Sequence, residues 1–293
     1  MDPYIIVFGL GVGVLVGTTG MGGGSLMTPL LILVFGVKPV VAVGTDLAYA
    51  AVTKTVGGIR HLMKGTVHRR MAMWLAVGSC PGALTGVYVL ELLRDVYGNG
   101  FDDFLLVAIA GALLLTGALV LLRALVLADD RRRERSRLKM QTRHKVAAVL
   151  LGLTIGFVLG VTSAGSGTLI AVGLIVGFRL TPHKVVGTDV AHAAVLLWVA
   201  SIAHLVSGNV DLGLAANILL GSVPGVWLGS NLAARLPENG LRPTLAIVLI
   251  ASGMALLSKA GLALPVAVLV GVPVALAVVS VIVIRAHTLG ASR

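Results

Sequence analysis

The chain has 293 residues, of which 57% are hydrophobic and 12% are charged. A soluble chain has about twice that share of charged residues, so the composition excludes a soluble globular protein and indicates one that crosses a membrane several times. The single cysteine, Cys80, excludes an internal disulfide. Without a Cys/His cluster in the sequence, we expect no metal site and no cofactor.

The first apolar segment, Tyr4–Phe35, is interrupted by GTTGMGGGSLMTP (17–29). The preceding MDPY has no positively charged region, so we expect no cleaved signal peptide. As one straight helix the segment would be about 50 Å long, well above the hydrocarbon thickness of about 30 Å. It is therefore predicted to form two pieces of about 12–14 residues that enter and leave on the same side. Two short full crossings have the same parity and remain an alternative.

Three more apolar runs follow, at about Val41–Met63, Met71–Leu92 and Phe104–Leu127. The basic stretch DDRRRERSRLKMQTRHK (129–145) then carries most of the net charge of +11. We interpret it as a cytoplasmic loop near anionic lipid rather than a nucleic-acid site. The order then repeats with a second broken segment, Val146–Phe178, and with the runs Val185–Val206, Leu212–Ala233 and Pro243–Leu257. A last run, about Leu262–Ile284, has no counterpart.

The two halves are copies of one unit. A shift of 143 residues places the Gly-Thr-Asp at 44–46 on that at 187–189, and GSCPGALTG (78–86) on GSVPGVWLG (221–229). Over residues 17–86 and 160–229, 29 of 70 positions are identical without a gap. We therefore divide the chain into a first repeat (1–127), a basic cytoplasmic linker (128–145), a second repeat (146–258) and an extra C-terminal transmembrane helix with its tail (259–293).

The positions of the cations predict the orientation. If each broken segment returns to its own side and the linker is cytoplasmic, most loop cations lie inside and few lie outside. The inner set is Lys64, Arg69, Arg70, Arg179, Lys184, Arg235, Arg242, Arg285 and Arg293, and the outer set is Lys38, Arg94 and Lys259. Broken segments that crossed once would move six of the inner cations outside, against the positive-inside rule. Each half then makes an odd number of crossings. This predicts an all-α polytopic membrane protein of two inverted repeats, with its N-terminus outside and its C-terminus in the cytoplasm, most simply in a bacterial inner membrane.

The interruptions of the broken segments predict a binding site. Irregular backbone at membrane depth needs protein or water to satisfy it, and broken helices of inverted repeats usually surround a midplane site. Half-helix N-termini offer free amides and the positive end of the helix dipole, which favours a small anion with several acceptor oxygens. The predicted substrate-binding residues at the two tips are Thr19, Gly22, Gly23, Gly24, Ser25, Ser163, Gly165, Ser166, Gly167 and Thr168. Close helix packing is the alternative for glycines, and we assign Gly9, Gly11 and Gly13 to it.

Ionisable residues within the apolar runs are further candidates, because charges are costly in a membrane. Lys54 stands where the second copy has a leucine, and it is predicted to offset the substrate charge, with snorkelling or pairing as the alternative. Asp46 and Asp189 are interpreted either as helix N-terminal caps or as proton-carrying or gating groups. His192 is the preferred carrier for proton coupling, because histidine titrates near neutral pH.

The duplicated glycine-rich broken helix, the stretches KPVVAVGTDLAYA (38–50) and TPHKVVGTDVAHA (181–193), and the Pro-Gly pair in each following helix resemble the TauE/SafE sulfite exporter family. The resemblance covers roughly Ile5–Leu257. It implies a permease for sulfite, sulfonates, sulfo-carboxylates, thiosulfate or related organic anions, without catalysis. Because such permeases differ in substrate, the resemblance leaves the cargo open.

Two other classes fit part of the sequence. An intramembrane serine protease would use Ser166 as nucleophile with His192 or His204 as base, but the first copy has Gly23 at the nucleophile position. An anion channel would share the anion site without alternating access. We expect a carrier whose partners are a small anion and the lipid bilayer, with no nucleic acid. The direction of transport, the coupling ion and a homodimeric assembly are left open.

Overall fold

The computed structural model describes residues 3–19, 24–125, 140–233 and 238–290. Most of the predicted basic linker lies outside these residues. The described part forms eleven α-helices and a 3-10 helix, Gly98–Gly100. The α-helices are α1 Pro3–Thr19, α2 Gly24–Val34, α3 Pro39–Met63, α4 Arg69–Tyr97, α5 Phe101–Leu125, α6 Thr142–Thr162, α7 Ser166–Val176, α8 Pro182–Val206, α9 Leu212–Ala233, α10 Glu238–Lys259 and α11 Val266–Gly290.

Five helical stretches in the described residues are long and apolar enough to cross a membrane. They are Arg69–Leu122, which covers α4 and α5, and Thr142–Thr162, His183–Val206, Leu212–Leu232 and Val266–Val283. Two shorter apolar helices, Pro3–Thr18 and Pro243–Lys259, accompany them. The protein is therefore an all-helical, multi-pass membrane protein, as the composition predicts.

Both broken segments are interrupted where the glycine-rich stretches predict it. The first consists of helices of 17 and 11 residues, and the second of helices of 21 and 11 residues. The first arms are longer than predicted, because Gly17 and Gly160 stay helical where they pack against α9 and α4. An 11-residue helix is about 16 Å long, roughly half the hydrocarbon thickness. The second arms, α2 and α7, are therefore too short to span the membrane.

Each broken segment returns to the end of the molecule at which it began. The ring of Phe8, near the start of α1, lies 4.7 Å from the ring of Phe35, just after α2. The ring of His144, at the start of α6, lies 6.2 Å from that of Phe178, after α7. Both segments are thus helical hairpins, and Ser163 and Ala164 at the tip of the second one are buried.

Glycine-lined contacts pair helices from the two halves. The most extensive contacts join α1 to α9, α4 to α6, α5 to α10 and α3 to α8. The 143-residue shift converts α1 into α6 and α9 into α4, so the first two contacts are equivalent. Gly13 packs on the backbone of Ser222, and its counterpart Gly156 packs on Ser79, so closely that a Cβ would overlap the facing carbonyl. The two contacts are therefore made by equivalent residues of the two copies. Gly11 has open space around it, so the packing explanation is wrong for this residue.

The equivalent helices α3 and α8 run antiparallel in the core. The Thr45 hydroxyl near the start of α3 accepts a hydrogen bond from the amide of Asp211, just after α8, at 3.0 Å. The Thr188 hydroxyl near the start of α8 accepts one from the amide of His68, just after α3, at 2.9 Å. The threonine of each Gly-Thr-Asp motif therefore holds the loop of the other half.

Three of the cations that the sequence assigns to loops lie in the end turns of helices, at opposite ends of this core. At one end, Lys184 in the first turn of α8 donates to the carbonyl of Gly65, in the loop after α3, at 2.6 Å, and both are predicted to lie on the cytoplasmic side. At the other end, Arg94 contacts the side chain of Asn209, and Lys259 donates to the carbonyl of Ile32 at 2.7 Å. The grouping of these cations agrees with the grouping that the sequence predicts.

Candidate functional site

The second hairpin tip reverses the chain within three residues. Ser163 ends α6 with a φ of 57°, and Gly165 precedes α7 with a φ of 95°. Glycine adopts this left-handed conformation without cost, whereas serine needs support from its surroundings. The residue before α7 makes no side-chain cap. The first amides of α7 therefore lack a capping side chain and carry the positive end of the helix dipole.

The carboxylate of Asp46 lies against this tip. The Ser163 hydroxyl donates to Asp46 Oδ2 at 2.8 Å, and the Thr28 hydroxyl of α2 donates to the same oxygen at 2.6 Å. Asp46 is 0% exposed, and the two hydroxyl residues are 1% exposed. Asp46 Oδ1 has no hydrogen-bond partner among the described residues. A carboxylate of the first half thus supports the tip of the second half.

The equivalent carboxylate, Asp189, has a different partner. Lys54 Nζ of α3 lies 3.7 Å from Asp189 Oδ2 of α8, and both residues are buried. Pairing, the alternative interpretation of Lys54, is therefore what the structure contains. Its predicted role in offsetting substrate charge remains a prediction, in which the substrate would share this ammonium with Asp189.

The interpretation of both aspartates as helix caps is wrong. The helices begin earlier than the sequence suggests, at Pro39 and Pro182, because proline at the first helical position has a φ suited to the helix and lacks only an amide that would be unpaired. Asp46 and Asp189 therefore lie in the third turns of α3 and α8. They are available for contacts in the core instead of at the helix ends.

The two candidate histidines of α8 are buried and contact other helices. His192 Nε2 lies 2.7 Å from the Ser79 hydroxyl of α4. His204 Nε2 donates to the carbonyl of Gly160, in the last turn of α6, at 2.8 Å. His192 thus joins α8 to the glycine-lined contact of α4 with α6, and its proton role stays a prediction.

Sequence reasoning missed three polar residues around this region. Thr28 contacts Asp46, Ser79 contacts His192, and Thr116 of α5 lies beside the second tip. The Thr116 hydroxyl is buried and has no hydrogen-bond partner among the described residues. Only Ser79 had a signal, because it recurs in the repeated Gly-Ser-x-Pro-Gly stretch. A single threonine in an apolar helix gives none.

The first tip is described only at its edges. Thr19 ends α1, and Gly24 and Ser25 begin α2, whereas Gly22 and Gly23 lie outside the described residues. The structure therefore brings together the second tip, α2 and Asp46. The approach of both tips to one cavity stays a prediction.

The chain has relatives that match most of its length. The family model "Sulfite exporter TauE/SafE" matches residues 5–256. The chain is 38% identical over 257 residues to the probable membrane transporter protein YjnA of Bacillus subtilis, covering 88% of this chain and 100% of that protein. It is 28% identical over 250 residues to the probable membrane transporter protein YdhB of the same organism, covering 84% and 96%.

A plant protein matches over a shorter region. The "Sulfite exporter TauE/SafE family protein 2" of Arabidopsis thaliana is 34% identical over 93 residues, covering 32% of this chain and 20% of that protein. No solved structure matches the chain. The family and these relatives are membrane transporters, so an enzymatic role such as the serine protease is set aside. The chain belongs to the TauE/SafE sulfite exporter family.

Proposed function

We propose that this protein carries a small sulfur-containing anion across the membrane by alternating access, at a site between the two hairpin tips. The substrate class is sulfite, a sulfonate, a sulfo-carboxylate or thiosulfate. The observation that carries the proposal is the buried second tip, where α7 begins without a side-chain cap. The uncapped amides at the start of a helix bind the oxygens of an anion well. The name of the matched family, sulfite exporter, supports a sulfur-containing substrate.

The proposed architecture is a pair of inverted repeats. It is supported by the antiparallel arrangement of the equivalent helices α3 and α8 and by the reciprocal contacts of α1 with α9 and α4 with α6. The separation of loop cations to two ends supports an outer N-terminus and a cytoplasmic linker and C-terminus. The proposed location is the cytoplasmic membrane of a bacterium, since YjnA and YdhB, which match most of this chain, come from Bacillus subtilis.

Substrate selection would follow from charge and shape. The amides that begin α2 and α7 would each contact oxygens of one anion, and the glycines beside them would let the substrate approach the backbone. A neutral solute of the same size would lose these charge-assisted hydrogen bonds. The binding site at the tips would then be accessible from only one side of the membrane at a time, and rearrangement of the surrounding helices would change that side.

Binding to the purified protein in detergent tests this proposal. We expect sulfite or a short sulfonate to raise the melting temperature in a saturable manner, since a ligand at 100 times its Kd stabilises by about 2.7 kcal/mol. A neutral sulfone of the same size is the ligand control. Gly167→Leu at the start of α7 should abolish the effect, whereas Gly111→Leu, with open space around it, should not. Unchanged sulfonate affinity in a folded Gly167→Leu variant would refute the tip site.

Flux into proteoliposomes separates the carrier from a channel. A carrier gives saturable flux that rises steeply with temperature, because each cycle includes a conformational change. Flux that stays proportional to concentration and depends weakly on temperature would favour the channel instead.

A further inference from the structure

The two equivalent carboxylates of the core differ in their counter-charge. Asp189 lies 3.7 Å from the ammonium of Lys54. The counterpart of Lys54 in the second copy is Leu197, so the pseudo-symmetry brings no ammonium to Asp46. Among the described residues Asp46 forms no ion pair. Asp189 is thus paired with a cation, whereas the described residues bring no counter-charge to Asp46.

Leaving Asp46 charged and without a counter-ion would be costly. Asp46 is 0% exposed, and a buried carboxylate costs several kcal/mol unless it is paired. The hydroxyls of Thr28 and Ser163 offset part of this cost at Oδ2. Oδ1 has no hydrogen-bond partner in the part of the chain that the structure describes. This buried oxygen therefore has neither a donor nor a counter-charge among those residues.

The two hydroxyls that contact Asp46, those of Thr28 and Ser163, are hard oxygen ligands like the carboxylate itself. Each hydroxyl that donates to Oδ2 keeps two lone pairs for a cation. One carboxylate balances a monovalent cation and would leave a divalent one with an uncompensated buried charge. The ends of broken helices, such as the one that Ser163 terminates, are places where transporters coordinate sodium.

We propose that Asp46, Thr28 and Ser163 form a binding site for a monovalent cation, Na⁺, at the second hairpin tip. The cation takes the place at Asp46 that Lys54 takes at Asp189. Because Ser163 is three residues before the uncapped start of α7, the bound cation also removes a negative charge next to the proposed anion site. Na⁺ then strengthens anion binding, and the anion strengthens Na⁺ binding by the same factor. This last step rests on the proposed function, whereas the cation site does not.

The cation site is tested on the full-length protein in detergent at pH 8, without any sulfur anion. Melting temperature and equilibrium binding of radioactive Na⁺ are measured while NaCl replaces N-methyl-D-glucamine chloride at constant ionic strength. We expect saturable stabilisation and binding of Na⁺ in the wild type and neither in Asp46→Asn. Asp102→Asn, at an exposed aspartate of α5, is the matched control and should behave as the wild type.

Two milder variants keep the test decisive if Asp46→Asn does not fold. Ser163→Ala and Thr28→Val each remove one oxygen ligand and should weaken Na⁺ binding by about tenfold. Wild-type protein without Na⁺-specific stabilisation, or equal Na⁺ binding in Asp46→Asn, overturns the proposal. Stabilisation on lowering the pH without any effect of Na⁺ also overturns it, and assigns the site to a proton. Because no sulfur anion is present, these outcomes leave the transport proposal standing.

Discussion

Lys54 and Asp189 form an ion pair that joins the two halves of the duplicated chain, yet the pair itself has no duplicate. The ammonium comes from α3 and the carboxylate from α8, with 3.7 Å between Nζ and Oδ2. The corresponding positions hold Leu197 and Asp46. Within the described residues, Asp189 is therefore ion-paired and Asp46 keeps one carboxylate oxygen without a partner, and this difference allows the two sites to have different roles.

Removing the ammonium alone should destabilise the protein. Lys54→Met leaves Asp189 buried without its partner, and we expect a loss of about 3–5 kcal/mol in the free energy of unfolding. The double variant Lys54→Met/Asp189→Leu removes both charges and should recover most of that loss. Thermal denaturation in detergent measures both. A single variant as stable as the wild type, or a double variant no better than the single one, would contradict a paired role.

The glycine-lined contacts give a matched pair of substitutions on one helix. Gly13→Ala places a Cβ on the backbone of Ser222 and should cost about 1–3 kcal/mol, because α1 and α9 must move apart. Gly11→Ala meets no atom within 4 Å, and alanine favours the helix over glycine by about 1 kcal/mol. We therefore expect Gly11→Ala to be neutral or stabilising. Melting temperatures that fall equally in both variants would show that the contact does not hold the helices.

The proposed orientation can be checked by labelling single cysteines in intact cells. In a Cys80→Ala background, a membrane-impermeant thiol reagent should modify Asp103→Cys, at the exposed start of α5, and should not modify Lys64→Cys, at the exposed loop after α3. Lys64→Cys should react once the cells are permeabilised, which serves as the control. The reverse pattern would invert the orientation and, with it, the predicted cytoplasmic linker.

The proposed proton role of His192 predicts how the flux depends on pH. With a sulfonate that stays ionised, we expect the flux of the wild type to vary with pH, because a coupled proton would have to bind to and leave His192 in each transport cycle. His192→Gln can keep the hydrogen bond to Ser79 but cannot carry a proton, so its profile should be flat. His183→Gln, at an exposed position near the start of α8, should keep the wild-type profile. A pH profile that survives in His192→Gln would remove this residue from the coupling mechanism.

Most of the fold could be predicted, because helices that cross a membrane need long apolar runs that are easy to recognise in a sequence. Long apolar runs, one duplication and the glycine-rich interruptions identify the helices and both hairpins, since lipid leaves few alternatives for the backbone. The helix ends were less predictable. The apolar run predicts that α3 begins at about Val41, whereas the helix begins at Pro39, because an apolar pattern does not show where the first helical turn begins.

The site was only partly predictable. The repeated Asp46 and Asp189 are visible in the sequence, but their partners are not, because contacts between distant helices leave no local pattern. Thr28 and Thr116 are single hydroxyl residues within apolar helices, where such residues commonly bond to their own backbone. For Lys54, the sequence suggested pairing as an alternative to substrate binding, but it did not show that the partner is Asp189.

The glycine-lined contacts also limit how the protein can move. α1 packs on α9 and α4 packs on α6 with their backbones in contact, so each packed pair contains one helix from each copy of the duplicated unit. A motion that swings one copy against the other would have to open both interfaces at once. The proposed transport cycle would keep them closed by moving these pairs as units relative to other helices. The unit that moves would then differ from the unit that was duplicated.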